Sequence, residues 1–129
     1  MNQNELCIGD IVRAFNKTGT YIGEITAVRE QSYVVKVLAV LHHPKQGDLH
    51  NPNQADVAFF HERKALAYRE QTNVPKHMVK PYNGSVPEYQ DSLRQAVDQL
   101  KQTLSDEDTP FNRKSLEALQ ELEKDYFKH

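Results

Sequence analysis

The nine residues 33–41 constrain the fold of this chain most strongly. Successive side chains of an extended strand point to opposite faces, so alternate residues share a face. One face of this segment is apolar throughout, with Tyr33, Val35, Val37, Ala39 and Leu41. The other face is apolar except at Lys36, with Val34, Leu38 and Val40. A strand that is apolar on both faces is typical of a central position, and we therefore predict a β-sheet built around it.

Further short strand patterns surround this central segment. Residues 8–12 form a short apolar stretch, and residues 20–28 alternate as a half-buried strand does, interrupted at Gly23. A glycine inside a strand indicates a bulge or a close backbone approach. Downstream, the sequence predicts two short strands, a helical turn and a last extended piece: residues 57–60, 65–69, 74–78 and 79–82. Together these elements predict a small, strongly curved SH3-like β-barrel.

The chain changes character near Asn83-Gly84, a dipeptide typical of turns. Two apolar stripes with helical spacing follow, interrupted by an acidic segment at residues 105–110. The first stripe comprises Val86, Tyr89, Leu93, Val97, Leu100 and Leu104, with Pro87 as a first-turn proline. The second comprises Phe111, Leu116, Leu119, Leu122 and Tyr126 or Phe127. Its candidate caps are Thr109, or Asn112 with Ser115. We predict an α+β protein with an SH3-like barrel in residues 1–83 and an antiparallel helical hairpin in residues 84–129, packed on or beside the barrel.

Charge and hydropathy exclude some classes of protein. The longest apolar run, residues 37–41, is far shorter than the roughly 20 residues that a membrane span needs. Residues 1–82 have a formal charge of +2 and residues 83–129 of −4, so the chain lacks the basic excess of a typical nucleic-acid-binding protein. A nucleic-acid-binding SH3-like module remains the alternative, because basic and aromatic residues occur in residues 61–69. Glu62 and Glu70 are interleaved among them, which makes this alternative the weaker one.

The single cysteine, Cys7, allows no internal disulfide and is compatible with a reducing cytoplasm. No secretory signal pattern precedes it, so we expect neither a lipid anchor at Cys7 nor export of the chain. Between Leu6 and Ile8 it is expected to be a small buried apolar side chain.

Metal-binding and catalytic chemistry find little support in the sequence. Potential metal donors are present, namely Cys7, His42, His43, Asp48, His50, His61 and Glu62, but their spacing matches no known ligand signature. The serines lack a nucleophile-elbow motif, and the five glycines form no phosphate-binding loop. We therefore expect a protein without enzymatic activity, metal, cofactor or small-molecule substrate.

Several sequence strings resemble the kinase-associated protein B family. They are YIGE at residues 21–24, YVVKVLAVL at 33–41, HP at 43–44, GDLHN at 47–51, FFHER at 59–63, ALA at 65–67, REQTN at 69–73 and the leucine-rich segment 115–126. The resemblance implies an accessory protein of spore-forming bacilli that supports a membrane sensor histidine kinase in the phosphorelay that initiates sporulation. Members are sometimes described as lipoproteins, a label from which the sequence around Cys7 departs.

The resemblance brings no catalytic residues, so the predicted activity is contact with a protein partner. The long polar loop after residue 42 is the expected recognition surface, because long loops in small domains are often functional. The candidate partner-binding residues are His43, Asp48, His50, Asn51, His61, Glu62 and Arg63. The same residues could instead fix the loop against the barrel. We expect a cytoplasmic protein that meets the cytoplasmic portion of the kinase, and a homodimer through the helical hairpin is compatible with the sequence.

Overall fold

The computed structural model describes residues 5–47 and 62–127. Within these ranges the chain forms five strands followed by two helices: β1 Ile11–Asn16, β2 Gly19–Val28, β3 Ser32–His42, β4 Gln71–Pro75, β5 Val79–Pro81, α1 Tyr89–Ser105 and α2 Pro110–Tyr126. A 3₁₀ helix, Lys76–Met78, joins β4 to β5. The predicted α+β class, with a β part that precedes two helices, is confirmed.

The five strands form one antiparallel sheet in the order β4-β3-β2-β1-β5. The edge strands β4 and β5 do not pair with each other, so the sheet formed by the described residues is not closed into a complete barrel. All five strands nevertheless contribute buried side chains to one cluster, with Val12, Ile25, Val35, Val74 and Val79 among them. Strands β1 and β4 are not neighbours in the sheet, yet residues of the two come within 8 Å of each other, and this sheet therefore has the open, curved shape of an SH3-like barrel.

The prediction for Gly23 in β2 is confirmed. The β2–β3 register shifts between Ile22 and Gly23, and a Cβ atom at position 23 would meet Val35 Cγ1 and lie 2.6 Å from the Lys36 carbonyl oxygen. Such a separation is too short for two non-bonded atoms. The absence of a side chain therefore lets β3 approach β2 closely at this point.

Three local predictions were wrong. Residues 65–69 form no strand; the strand next to β3 is β4, which begins at Gln71. Helix α1 begins at Tyr89 with Glu88 as its N-cap, so Pro87 precedes the helix instead of occupying its first turn. Cys7 is exposed, because it lies in a turn in which its N–H donates to Asp10 Oδ2 at 2.8 Å and its side chain points outward. The strand predicted at residues 57–60 lies outside the described residues.

The two helices form the antiparallel hairpin that the sequence predicts. Lys101 and Glu123 are joined by an ion pair of 2.9 Å, and the Arg94 guanidinium lies over the Phe127 ring at 4.0 Å. Arg94, in the second turn of α1, thus meets Phe127 at the C-terminal end of α2. Of the two predicted caps of α2, Thr109 is the one that forms, since its Oγ1 accepts a hydrogen bond from Asn112 N.

Helix α1 packs against the sheet across β3. Buried Tyr21, Val37 and Val40 of the sheet share a cluster with buried Leu93 and Val97 of α1. The Val40 N–H, which has no partner strand on this side among the described residues, donates to Ser92 Oγ at 2.9 Å. The helix therefore supplies both apolar contact and a hydrogen bond to this part of β3. Within the described residues, neither helix combines the length and the hydropathy that crossing a bilayer would require.

Candidate partner-binding site at the base of the long loop

Two segments of irregular chain, residues 43–47 and 62–66, meet beside the sheet and form the base of the long loop. The buried Gln46 amide joins them: its Oε1 accepts from Arg63 N at 2.8 Å, and its Nε2 donates to the Arg63 carbonyl oxygen at 2.9 Å. Arg63 Nε donates in turn to the Gly47 carbonyl oxygen at 3.0 Å. One amide side chain thus pairs with both backbone groups of Arg63, as a neighbouring strand would do.

His43 links this loop base to the end of α2. Its ring is only 3% exposed and lies edge-on to Tyr126 at a centroid distance of 5.7 Å. Nδ1 lies 2.9 Å from the Pro44 carbonyl oxygen, and Nε2 lies 2.9 Å from the Tyr126 hydroxyl. A carbonyl oxygen can only accept, so we assign the proton to Nδ1 and make Nε2 the acceptor of the Tyr126 O–H.

The pKa shifts of the two groups agree with this assignment. Burial lowers the pKa of His43, because desolvation disfavours the imidazolium ion, and the Pro44 carbonyl opposes this shift only in part. Burial also raises the pKa of Tyr126 to about 12, so its hydroxyl keeps its proton at neutral pH. A neutral imidazole acceptor therefore faces a protonated phenol donor.

Three tyrosine hydroxyls hold the chain just after the loop. Tyr126 Oη accepts from Ala65 N at 2.9 Å, and Tyr21 Oη accepts from Leu66 N at 3.2 Å. Tyr89 Oη donates to the Leu66 carbonyl oxygen. These side chains come from α2, β2 and α1 respectively. Burial raises the pKa of all three hydroxyls, so each is protonated at neutral pH, as the donors Tyr89 and Tyr126 require.

The structure places three of the seven predicted partner-binding residues. His43 is buried within the loop base, Arg63 is half-buried beside Gln46, and Glu62 is exposed. The other four, Asp48, His50, Asn51 and His61, lie outside the described residues. His43 and Arg63 hold the loop base in place through hydrogen bonds, while the side chain of Glu62 is exposed to solvent.

A depression of 200 Å³ borders this loop base. Tyr21 and Pro44 contribute to its wall, and Lys17, Glu62, Arg63 and Lys64 bring charge of both signs to it. Lys64 Nζ is paired with Asp125 Oδ2 at 3.0 Å. The charged side chains of this depression are thus three basic ones and one acidic one.

Sequence reasoning missed the residues that organise the base, above all Gln46, Tyr126, Tyr21 and Tyr89. The apolar stripe placed Tyr89 and Tyr126 on the buried side of the helices but carried no sign of what their hydroxyls bind. Tyrosine hydroxyls usually find a partner when buried, which is the one signal that could have marked them. Among the described residues, no three His, Cys, Asp or Glu side chains group closely enough to hold a metal ion.

Comparison with known proteins identifies the family of this chain. A family model described as "Kinase associated protein B" matches residues 16–127. The chain belongs to the kinase-associated protein B family. It is 62% identical over 119 residues to the Kinase-associated lipoprotein B of Bacillus subtilis (strain 168), which covers 92% of this chain and 93% of that protein.

A solved structure supports both the family and the fold. The X-ray crystal structure of kinase-associated protein B from Bacillus cereus is similar to this chain with a TM-score of 0.81 at 48% identity. The similarity covers 95% of this chain and 98% of that one. Membership of the kinase-associated protein B family therefore extends over the sheet, the loop base and the helical hairpin together.

Proposed function

We propose that this protein is a non-enzymatic accessory protein that supports a sensor histidine kinase by direct contact with the cytoplasmic portion of the kinase. Membership of the kinase-associated protein B family carries the proposal, since the relatives are named for association with a kinase. The geometry of the loop base supports it as well. His43 and Arg63, which could have served in catalysis, are engaged in holding the chain in place.

The finer parts of the proposal concern pathway and location. We infer that the kinase feeds the phosphorelay that initiates sporulation, and that the protein works on the cytoplasmic side of the membrane. The Bacillus subtilis relative is named a lipoprotein, so fractionation of cells with and without the kinase is the appropriate test of location. Release of the protein from the membrane fraction upon deletion of the kinase would support attachment through the partner.

We further propose that the loop base contributes to the partner surface, with Glu62 as its exposed charge among the described candidates. His43 and Arg63 would then act by fixing the shape of the base. The Glu62→Lys change reverses the charge at an exposed position and leaves the hydrogen bonds of Gln46 in place. It should weaken kinase binding without loss of stability.

The decisive experiment is calorimetric titration of the full chain with the cytoplasmic portion of a sensor histidine kinase from the same cell. Binding in the micromolar range or tighter supports the proposal, and the absence of heat at high micromolar concentration contradicts it. A parallel titration with RNA and DNA tests the alternative function, because phosphate binding should weaken steeply with salt. Sedimentation of the same samples tests whether the hairpin mediates a homodimer.

A further inference from the structure

A groove of 480 Å³ lies where the start of α1 meets the turn before β4. Its walls include Leu38, Tyr68, Val86, Pro87, Glu88 and Tyr89. A neighbouring groove of 380 Å³ shares Pro87 and continues along α1 past Leu41 and Gln95. Neither groove is lined by any of the candidate partner-binding residues, and Tyr89 connects the first groove to the loop base.

The first groove gathers exposed apolar side chains. Four large apolar residues are exposed in the described parts of the chain, and two of them, Tyr68 at 56% and Val86 at 39%, line this groove. Clustered exposed apolar side chains rimmed by polar ones mark interaction sites, whereas single ones need no explanation.

Two aromatic rings in contact with each other line the groove. The Tyr89 ring is 9% exposed, and its hydroxyl donates to the Leu66 carbonyl oxygen. The Tyr68 ring lies 5.7 Å from it, at an interplanar angle of 51°. Rigid aromatic side chains provide contact area at little cost in conformational entropy, which is why they are frequent among the residues that dominate binding energy.

A carboxylate lies in the wall of the groove. Among the described residues that line it, Glu88 is the charged one, and its carboxylate is fixed at the start of α1, where Oε1 accepts from Asp91 N at 2.8 Å. The carboxylate of Glu70 lies close enough to Tyr89 to contribute to the raised pKa of that hydroxyl. An apolar floor beside fixed carboxylates is complementary to an apolar side chain next to a Lys or Arg.

We propose that this groove docks a segment of the sensor histidine kinase that presents an apolar side chain beside a basic residue. The inference rests on the proposed function and names the surface of this protein that contacts the kinase. The apolar side chain packs between Tyr68 and Val86, and the basic residue meets Glu88. Binding through the groove is therefore driven by apolar burial at its centre and oriented by charge at its rim.

Two exposed valines provide a matched test. Val86 in the groove is 39% exposed, and Val28 at the end of β2 is 41% exposed outside it. In the calorimetric titration with the kinase's cytoplasmic portion, Val86→Lys and Tyr68→Ala should each weaken binding by about tenfold or more. Val28→Lys and Ile8→Lys, which replace exposed apolar residues elsewhere, should change the affinity for the kinase portion by less than about twofold. Glu88→Gln keeps an oxygen for the helix cap and should reduce both the affinity and its salt dependence.

Each outcome has a defined meaning. If wild-type protein binds and the groove variants bind equally well, the groove proposal is wrong and the proposed function stands. Equal weakening by the groove and control variants also overturns the groove proposal, because the effect is then not local. If wild-type protein does not bind the kinase portion at all, both proposals fail. If Val86→Lys dissociates a dimer in sedimentation and leaves kinase binding unchanged, the groove holds a second copy of the chain instead.

Discussion

At the scale of single residues, the two buried serines of the hairpin differ in hydrogen bonding. Ser92 Oγ accepts from Val40 N at 2.9 Å and donates to the Tyr89 carbonyl oxygen at 2.7 Å. Ser115 is 1% exposed, and its Oγ has no hydrogen-bond partner within the described part of the chain. A buried hydroxyl without a partner costs free energy, whereas a bonded one contributes to stability.

The same substitution should therefore have opposite effects at these two positions. Ser115→Ala removes an unsatisfied hydroxyl and improves helix propensity, so we expect the free energy of unfolding to rise by about 1 kcal/mol. Ser92→Ala leaves the Val40 N–H without its partner and should lower the free energy of unfolding by about 1–3 kcal/mol. Urea denaturation of the two variants measures both values. A loss of stability in Ser115→Ala would contradict the assignment.

His43 should make stability depend on pH. Its pKa is lowered in the folded state from the usual 6.5, so the unfolded chain binds more protons than the folded chain as the pH falls below that value. The stabilising contribution of the neutral ring is thus present above about pH 6.5 and is lost as the pH falls through the folded-state pKa. Protonation would also place an N–H where Nε2 now accepts from Tyr126.

The variant His43→Gln cannot titrate and should flatten the slope of unfolding free energy against pH between about 7 and 5. Urea denaturation at several pH values measures the slope separately from any overall loss of stability in the variant. Identical slopes for wild type and His43→Gln would contradict the prediction.

At the scale of elements, the segment after the long loop shows what local sequence patterns leave undetermined. Residues 65–69 have strand-like composition, yet the hydroxyls of Tyr126, Tyr21 and Tyr89 take the place of a sheet ladder at Ala65 and Leu66. The strand that does form, β4, is more polar than the segment that does not. Tertiary hydrogen bonds from residues distant in sequence therefore determine that residues 65–69 do not form a strand.

Removal of one hydroxyl should loosen this segment. Tyr126→Phe leaves both Ala65 N and His43 Nε2 without their partner, and we expect the unfolding free energy to fall by about 1–3 kcal/mol. Hydrogen exchange at Ala65 should accelerate more than exchange in β1 or β2. Tyr82→Phe is the control, since Tyr82 Oη donates to the Ser85 carbonyl oxygen in an exposed position. Uniform acceleration across the sheet would show that the hydroxyl acts globally and not on this segment.

The elements themselves were largely predictable. Alternation of apolar residues identified β2 and β3, and the helical stripes identified α1 and α2 together with the Thr109 cap. The role of Gly23 followed from its position within an otherwise regular strand. The loop base was not predictable in the same way. A glutamine that pairs with the backbone of Arg63 leaves no periodic pattern, because its partner lies 17 residues away.

At the scale of the whole molecule, the sheet and the hairpin share a hydrophobic cluster. Tyr21, Val37 and Val40 of the sheet pack with buried residues of α1, and half-buried Tyr126 and Phe127 of α2 cover the same cluster. The division of the chain at residues 83 and 84 stays a prediction. The shared cluster favours two parts that are stable only together.

Full-length protein should accordingly unfold in one cooperative transition. A chain of residues 1–83 should be less stable by several kcal/mol, because each apolar side chain that loses its cover forfeits roughly 1.5–3 kcal/mol. Calorimetry of the full chain and urea denaturation of the fragment test this expectation. An independently folded fragment, or two separate transitions in the full chain, would show that residues 1–83 form an autonomous domain.

The hydrogen bonds between Gln46, Gly47 and Arg63 have a consequence for engineering. They fix the spacing of the two chain positions that flank residues 48–61, so the hydrogen bonds of the loop base offset part of the entropy cost of bringing those positions together. A foreign peptide grafted between Gly47 and Glu62 would inherit this fixed spacing of its ends. The protein thus offers a natural display scaffold in which the inserted sequence can be exchanged while its anchorage stays constant.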